Sequence, residues 1–201
     1  MLACGMPSDP PTHAAINAWP LPYEALLDPR ERAQIDLVVI HCTELPDLAT
    51  AREYGERVLY PQGDRGGTGN SGHYYIDRDG SIHGFVQPER IAHHTRGYNP
   101  SSVGIELVNT GRYPDWLDSR HQAMDEPYPD AQIAALIELL LALCGELPNL
   151  HWIAGHDDLD TAQVPASDDP TRTVARKRDP GPLFPWADLL ARVPLQQLIP
   201  A

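Results

Sequence analysis

The feature that most restricts the fold is the run Ile35-Asp36-Leu37-Val38-Val39-Ile40, rich in β-branched side chains and ending at His41. A strand that is apolar on both faces must be covered on both faces, so this run predicts a buried central strand with other elements packed on it. The carboxyl end of such a strand is a favoured place for chemistry. His41 is therefore the first candidate functional residue.

The flanking pattern predicts a mixed sheet. His73-Tyr74-Tyr75-Ile76 and Ser81-Ile82-His83-Gly84-Phe85-Val86 bracket Asp77-Arg78-Asp79-Gly80, where Asp-Gly supplies the positive φ of a tight hairpin turn. Val103 to Val108 reads as a strand with Val103, Ile105 and Leu107 on one face, which turns Glu106 away from its most apolar neighbours. Ile133, Leu136, Ile137, Leu140, Leu141 and Cys144 recur at helical spacing, with Asp130 behind Pro129 as the expected N-cap. Trp152 to Gly155 reads as a strand delivering His156 at its end. Short helices are expected between Ala49 and Leu59 and over Pro185 to Ala191. Gly63 to Gly72 lacks the Gly-Lys-Ser/Thr ending of a phosphate loop and reads as a flexible connection. The order predicts an α/β fold, a single domain with a central mixed β-sheet flanked by helices.

The 201 residues suit one domain. Residues 1–34, rich in Pro and polar types, read as an extended N-terminal arm; the ordered domain is expected over 35–192, with 193–201 as a C-terminal tail. A net charge of −13 argues against a nucleic-acid partner, since binding a phosphate backbone needs a basic surface. No transmembrane segment is expected, because no stretch approaches roughly 18 consecutive apolar residues. Cys4, Cys42 and Cys144 form neither a disulfide framework nor a CxxC site. Met1-Leu2-Ala3-Cys4-Gly5 has the small-then-Cys look of a lipoprotein processing site without the charged and apolar regions that precede one. A monomer is expected.

Among the nine histidines, His41 and His156 each end an apolar strand, and two imidazoles on neighbouring strands can converge on one ion. Catalytic zinc usually has three protein ligands, often two histidines and a carboxylate. Asp179, in Arg178-Asp179-Pro180-Gly181-Pro182, lies in a segment stiffened by prolines. The spacing matches no compact metal motif, and a strand-end histidine is more often a structural hydrogen-bonding residue. Nucleophilic alternatives are weaker. Cys42 adjoins His41 but points to the opposite face, no Gly-x-Ser-x-Gly elbow is present, and no spacing singles out a glycosidase carboxylate pair.

Taken in order, Val39-Ile40-His41-Cys42-Thr43, Ser71-Gly72-His73-Tyr74, Ala92-His93-His94, Ser102-Val103-Gly104-Ile105-Glu106-Leu107, Gly155-His156 and Arg176-Lys177-Arg178-Asp179-Pro180-Gly181-Pro182 resemble the zinc N-acetylmuramoyl-L-alanine amidases of the AmpD and AmiD type, which share their fold with peptidoglycan recognition proteins. The resemblance runs from about Ile35 to Trp186. It implies one Zn2+ per chain held by His41, His156 and Asp179, with Glu106 as the catalytic acid that takes a proton from water and Lys177 as the stabiliser of the oxyanion. It places His94 beside the substrate cleft. It also implies a peptidoglycan or muropeptide substrate, cell-wall remodelling or muropeptide recycling, and the bacterial cell envelope ahead of a cytoplasmic location. A non-catalytic peptidoglycan-binding module on the same fold is the alternative.

The sequence departs from that pattern in three places. His93 stands where a tryptophan is common, Arg96 precedes Gly97, and Asp157 to Ala175 forms an insertion that reads as a solvated loop. Asp157, Asp158 and Asp160 in it read as solvent-facing acids rather than a second metal site.

Overall fold

The computed structural model describes residues 15–200. The lipoprotein-like start at Cys4 lies outside them. The main sheet contains β1 (Ile16–Ala18), β2 (Leu37–Cys42), β5 (Tyr74–Ile76), β6 (Ile82–Gly84), β7 (Ser102–Leu107), β8 (Trp152–Gly155) and β11 (Gln196–Gln197). Two small ribbons pair β3 (Tyr60–Pro61) with β4 (Gly67–Thr68), and β9 (Gln163–Pro165) with β10 (Thr173–Ala175). The helices are α1 (Leu48–Gly55), α2 (Asp130–Glu146), α3 (His156–Leu159) and α4 (Trp186–Leu190). The sheet order is β1-β6-β5-β7-β2-β8-β11, and every pairing is parallel except β5 with β6. The expected mixed sheet flanked by helices is the observed architecture.

Parity along β2 divides the molecule. Val38 and Ile40 face α2 with Val103, Ile105, Leu107 and Ile153, meeting Leu136, Ile137, Leu140 and Leu143 in the main core. Leu37, Val39 and His41 face the other way, where Leu37 and Val39 pack with Ala154. The face under α2 is thus purely structural, and the opposite face is left for the site. The Asp77–Ser81 turn forms as expected, with Gly80 at φ +88°. Asp130 is not the N-cap of α2: Pro129 holds that position, and Asp130 is the first helical residue, where its carboxylate still complements the positive end of the helix dipole.

Three expectations are corrected. The N-terminal segment over 1–34 is not an extended arm where it is described. β1 pairs in parallel with β6, and Leu21, Tyr23 and Leu27 enter a second core with Leu45, Ala51, Tyr75, Phe85 and Val86. Arg52 fastens it by donating to the carbonyls of Trp19 and Pro20 at 2.5 and 2.8 Å. The segment 193–201 is likewise not a free tail, since Val193 and Leu195 are buried in the main core and β11 pairs with β8. Both edge strands of the sheet therefore come from segments placed outside the ordered domain, and they cap backbone groups that would otherwise be unpaired. Gly63 to Gly72, read as a flexible connection, contains β4 of the first ribbon.

Leu21→Ala tests whether the N-terminal segment is integral. Leu21 is 2 % exposed, so the substitution should lower unfolding free energy in urea by about 2–5 kcal/mol, as for other buried leucines. An arm lying free of the core would show no change.

Candidate active site

The site forms at the carboxyl ends of three adjacent parallel strands. The register sets His41 of β2 opposite Glu106 of β7, Glu106 opposite Tyr75 of β5, and Ile40 opposite Gly155 of β8. Paired residues on neighbouring strands point to the same face, so His41 and Glu106 stand side by side. His156 follows Gly155 as the first residue of α3. Asp179 arrives from the far side on a loop fixed by two bonds: the Asp157 N–H donates to the Asp179 carbonyl at 3.0 Å, and the Tyr128 hydroxyl donates to the Pro180 carbonyl at 2.6 Å.

These contacts bring His41, His156 and Asp179 together, all buried, with one donor atom of each within 4.8 Å of the others. Asp179 Oδ2 lies 2.9 Å from His41 Nδ1 and 3.0 Å from His156 Nδ1. Asp179 Oδ1 is buried without a hydrogen-bond partner. Burial alone would raise the Asp179 carboxyl, but His156 and His41 hold it well below the usual range. Burial, reinforced by His156, lowers His41 to about 4, so its imidazole is neutral at physiological pH and has a lone pair to offer.

The His41 ring is held from behind. The Ser102 hydroxyl donates to the Tyr98 carbonyl at 2.8 Å, so its oxygen accepts from His94 Nε2 at 3.2 Å. His94 Nδ1 is then an acceptor, 3.1 Å from His41 Nε2 and 3.0 Å from Thr95 Oγ1. His41 Nε2 is also 3.3 Å from Thr95 Oγ1, so the ring is held on this side by His94 and Thr95 while its Nδ1 faces the Asp179 carboxylate. The donor chemistry, two imidazole nitrogens and a carboxylate with a spare oxygen, fits a zinc ion.

His94 lines the groove, where the sequence placed it, but its nitrogens serve His41 and Ser102. Gly104 makes room for it, because a Cβ there would lie 2.6 Å from His94 Cγ. Lys177, half-buried, lines the same groove as Glu106 and the His-His-Asp group. Burial pushes the Glu106 carboxyl up to about 8, with Asp179 adding to the shift and Lys177 opposing it. The groove, of about 920 Å³, continues past His93 and Arg96 to Tyr54, Arg57, Tyr60 and Asn70.

His73 is a structural residue: its Nδ1 accepts the Gly104 N–H and its Nε2 meets the Arg90 carbonyl. Cys42 is buried on the α2 side of its strand, as its parity requires. The 157–175 insertion is corrected from a solvated loop to α3 followed by the β9–β10 ribbon. Asp157, Asp158 and Asp160 are half-buried rather than solvent-facing, Asp168 is exposed, and Asp160 pairs with Arg176 at 2.5 Å. Sequence reasoning missed Thr95, Ser102, Glu44 and Arg112, whose roles depend on contacts far apart in the chain.

A family model described as N-acetylmuramoyl-L-alanine amidase matches residues 31–182. The chain belongs to this amidase family. No curated protein matches the amidase sequence. Among solved structures, the amidase LysC from Clostridium intestinale is 19% identical, with TM-score 0.62, over 90% of this chain and 99% of that one. AmpD, as a selenomethionine derivative, is 24% identical, with TM-score 0.62, over 94% and 99%. AmiD from E. coli is 25% identical, with TM-score 0.56, over 79% and 57%; it was solved with anhydro-N-acetylmuramic acid-L-Ala-D-gamma-Glu-L-Lys.

The raised Glu106 value carries a signed prediction for the metal-free amidase. A carboxyl near 4.5 when unfolded and near 8 when folded costs stability progressively as pH rises through that window. Glu106→Gln removes the titration. In chelator-treated protein the variant should gain on the native chain between about pH 4.5 and 8 and hold that gain above, measured as the difference between urea unfolding curves. Parallel pH profiles would contradict it.

Proposed function

We propose that the chain is a zinc-dependent hydrolase of the amide bond between N-acetylmuramic acid and L-alanine in peptidoglycan or muropeptides, with His41, His156 and Asp179 as the metal ligands. The observation that carries this reading is the convergence of those three buried side chains, with an unpartnered Asp179 oxygen, at the floor of the groove. When bound, zinc supplies Lewis acidity, bringing the pKa of water to about 7 and polarising an amide carbonyl.

The chain's own residues do the rest. Glu106, beside His41 across the β2–β7 ladder, takes a proton from the water that attacks the lactyl carbonyl carbon. It returns that proton to the alanine nitrogen as the C–N bond breaks, so the products are a muramic carboxylate and a free stem-peptide amine. Its buried setting, which favours the protonated form, suits the second half of that task. Lys177 offers a cation to the carbonyl oxygen as it gains negative charge. The Ser102–His94–His41 chain, with Thr95, holds the ligand imidazole in place. The groove running on toward Tyr60 and Asn70 gives the rest of a muropeptide a place to lie.

Incubation with muropeptides should release free stem peptide, stop on addition of a chelator and resume with zinc. Glu106→Gln should lower turnover by about 10²–10⁴-fold with roughly one zinc per chain retained. Lys177→Ala should lower it by about 10²–10³-fold, and Asp179→Ala should lose the metal. Zinc-loaded native protein that binds muropeptides without cleaving them would replace this reading with that of a binding module.

A further inference from the structure

Of the segments that carry the site, three are joined by one buried ion pair: the exits from β2 and β7 and the stretch that leads into Lys177. Glu44 lies on the exit from β2, three residues beyond His41, and is 7 % exposed. Arg112 lies on the exit from β7, beyond Glu106, and is 3 % exposed. Arg112 Nε donates to Glu44 Oε1 at 2.6 Å and Nη2 donates to Oε2 at 2.8 Å, a bidentate pair. The same guanidinium reaches the third segment, where Nη1 donates to the Ala175 carbonyl at 3.0 Å and Nη2 to the Arg176 carbonyl at 3.4 Å. The next residue is Lys177.

The backbone is shaped to admit this pair. Glu44 adopts φ +48°, a left-handed conformation that non-glycine residues seldom take. A Cβ at Gly111 would lie 2.6 Å from Glu44 Cγ. Burying an ion pair is a poor way to gain stability, since well-packed apolar residues often serve as well or better. What the pair provides is direction: five guanidinium donors in a rigid plane, aimed at one carboxylate, two consecutive carbonyls and the Gln122 side-chain oxygen.

The need for such a brace follows from the route of the chain. Lys177 is reached only after the inserted β9–β10 ribbon, and a lysine side chain has four rotatable carbons, so its backbone must be held if its ammonium is to meet a defined point. We propose that the Glu44–Arg112 pair is a positioning device for Lys177, setting it against the ends of β2 and β7 that carry His41 and Glu106. The inference rests on the amidase reading above, which gives Lys177 its task.

Arg112→Lys keeps the positive charge beside Glu44 but removes the fork. With zinc still near one per chain, kcat should fall about 10–100-fold with KM nearly unchanged, as expected for a misplaced group that acts in the transition state. The deciding readout is a double-mutant cycle with Lys177→Ala, followed by product release over long incubations. If Arg112 acts through Lys177, Arg112→Lys costs no more than about twofold in the Lys177→Ala background. Losses that multiply in the double variant, or full activity in Arg112→Lys, would overturn the proposal. If Arg112→Lys does not fold, Glu44→Asp, which shortens the brace by one methylene, goes through the same cycle with the same two readings. Native activity, measured first, separates the two levels: a native chain that cleaves muropeptides but gives multiplicative losses overturns the positioning role alone. An inactive native chain removes Lys177's task, and this proposal with it.

Discussion

The parallel ladder of β7, β2 and β8 is the constraint on which the rest depends. It places His41 level with Glu106 and Ile40 level with Gly155, so three strand ends stop at one edge in a defined register. Side chains alternate along a strand, so a slip of one residue in β2 would carry His41 into the α2 core and bring Cys42 to the groove. The apolar residues Val38 and Ile40 prevent that slip, because their burial against α2 is incompatible with the shifted register. Packing on one face of the sheet thus fixes chemistry on the other.

That division explains what could be read from the sequence. β2, β7, the Asp77–Ser81 hairpin and α2 announce themselves through local periodicity or turn chemistry, which act within a few residues. β1 and β11 do not, for they are three and two residues long, and β11 is Gln-Gln. Their strand character comes from backbone pairing with a neighbour already in place. The burial of Leu21 and Tyr23 was hidden for a related reason: the segment is rich in proline and follows no period, yet it packs against Phe85 and Tyr75. The β9–β10 ribbon is held by partners outside itself, with Ser167 bonded to Leu117 and Asp168 to Ser119.

The site shows the same split. Local signals mark His41 and His156 as strand-end residues and Asp179 as lying in a proline-stiffened turn, but their grouping as ligands and the roles of Glu106 and Lys177 come only from the family resemblance. The residues that orient them carry no such signal. Ser102 opens β7 and reads as an ordinary strand residue until the Tyr98 carbonyl fixes its hydroxyl and, through His94, it braces the ring of His41. Glu44 and Arg112 are single charges on two strand exits, and nothing in their spacing marks them as partners. Contacts made across the fold leave no periodic trace in the chain.

One consequence of this layout concerns the order in which the site becomes competent. The Asp179 carboxylate meets both imidazoles through Oδ2, and its Oδ1 is buried without a hydrogen-bond partner. Burial at the same time holds Glu106 in its neutral form up to about pH 8. A divalent cation held there, as proposed above, would engage the spare oxygen and by its positive charge would draw Glu106 toward the carboxylate that can accept a proton. On that reading, metal binding and the readiness of Glu106 to act as a base would be coupled through charge, with the strands that carry them unmoved.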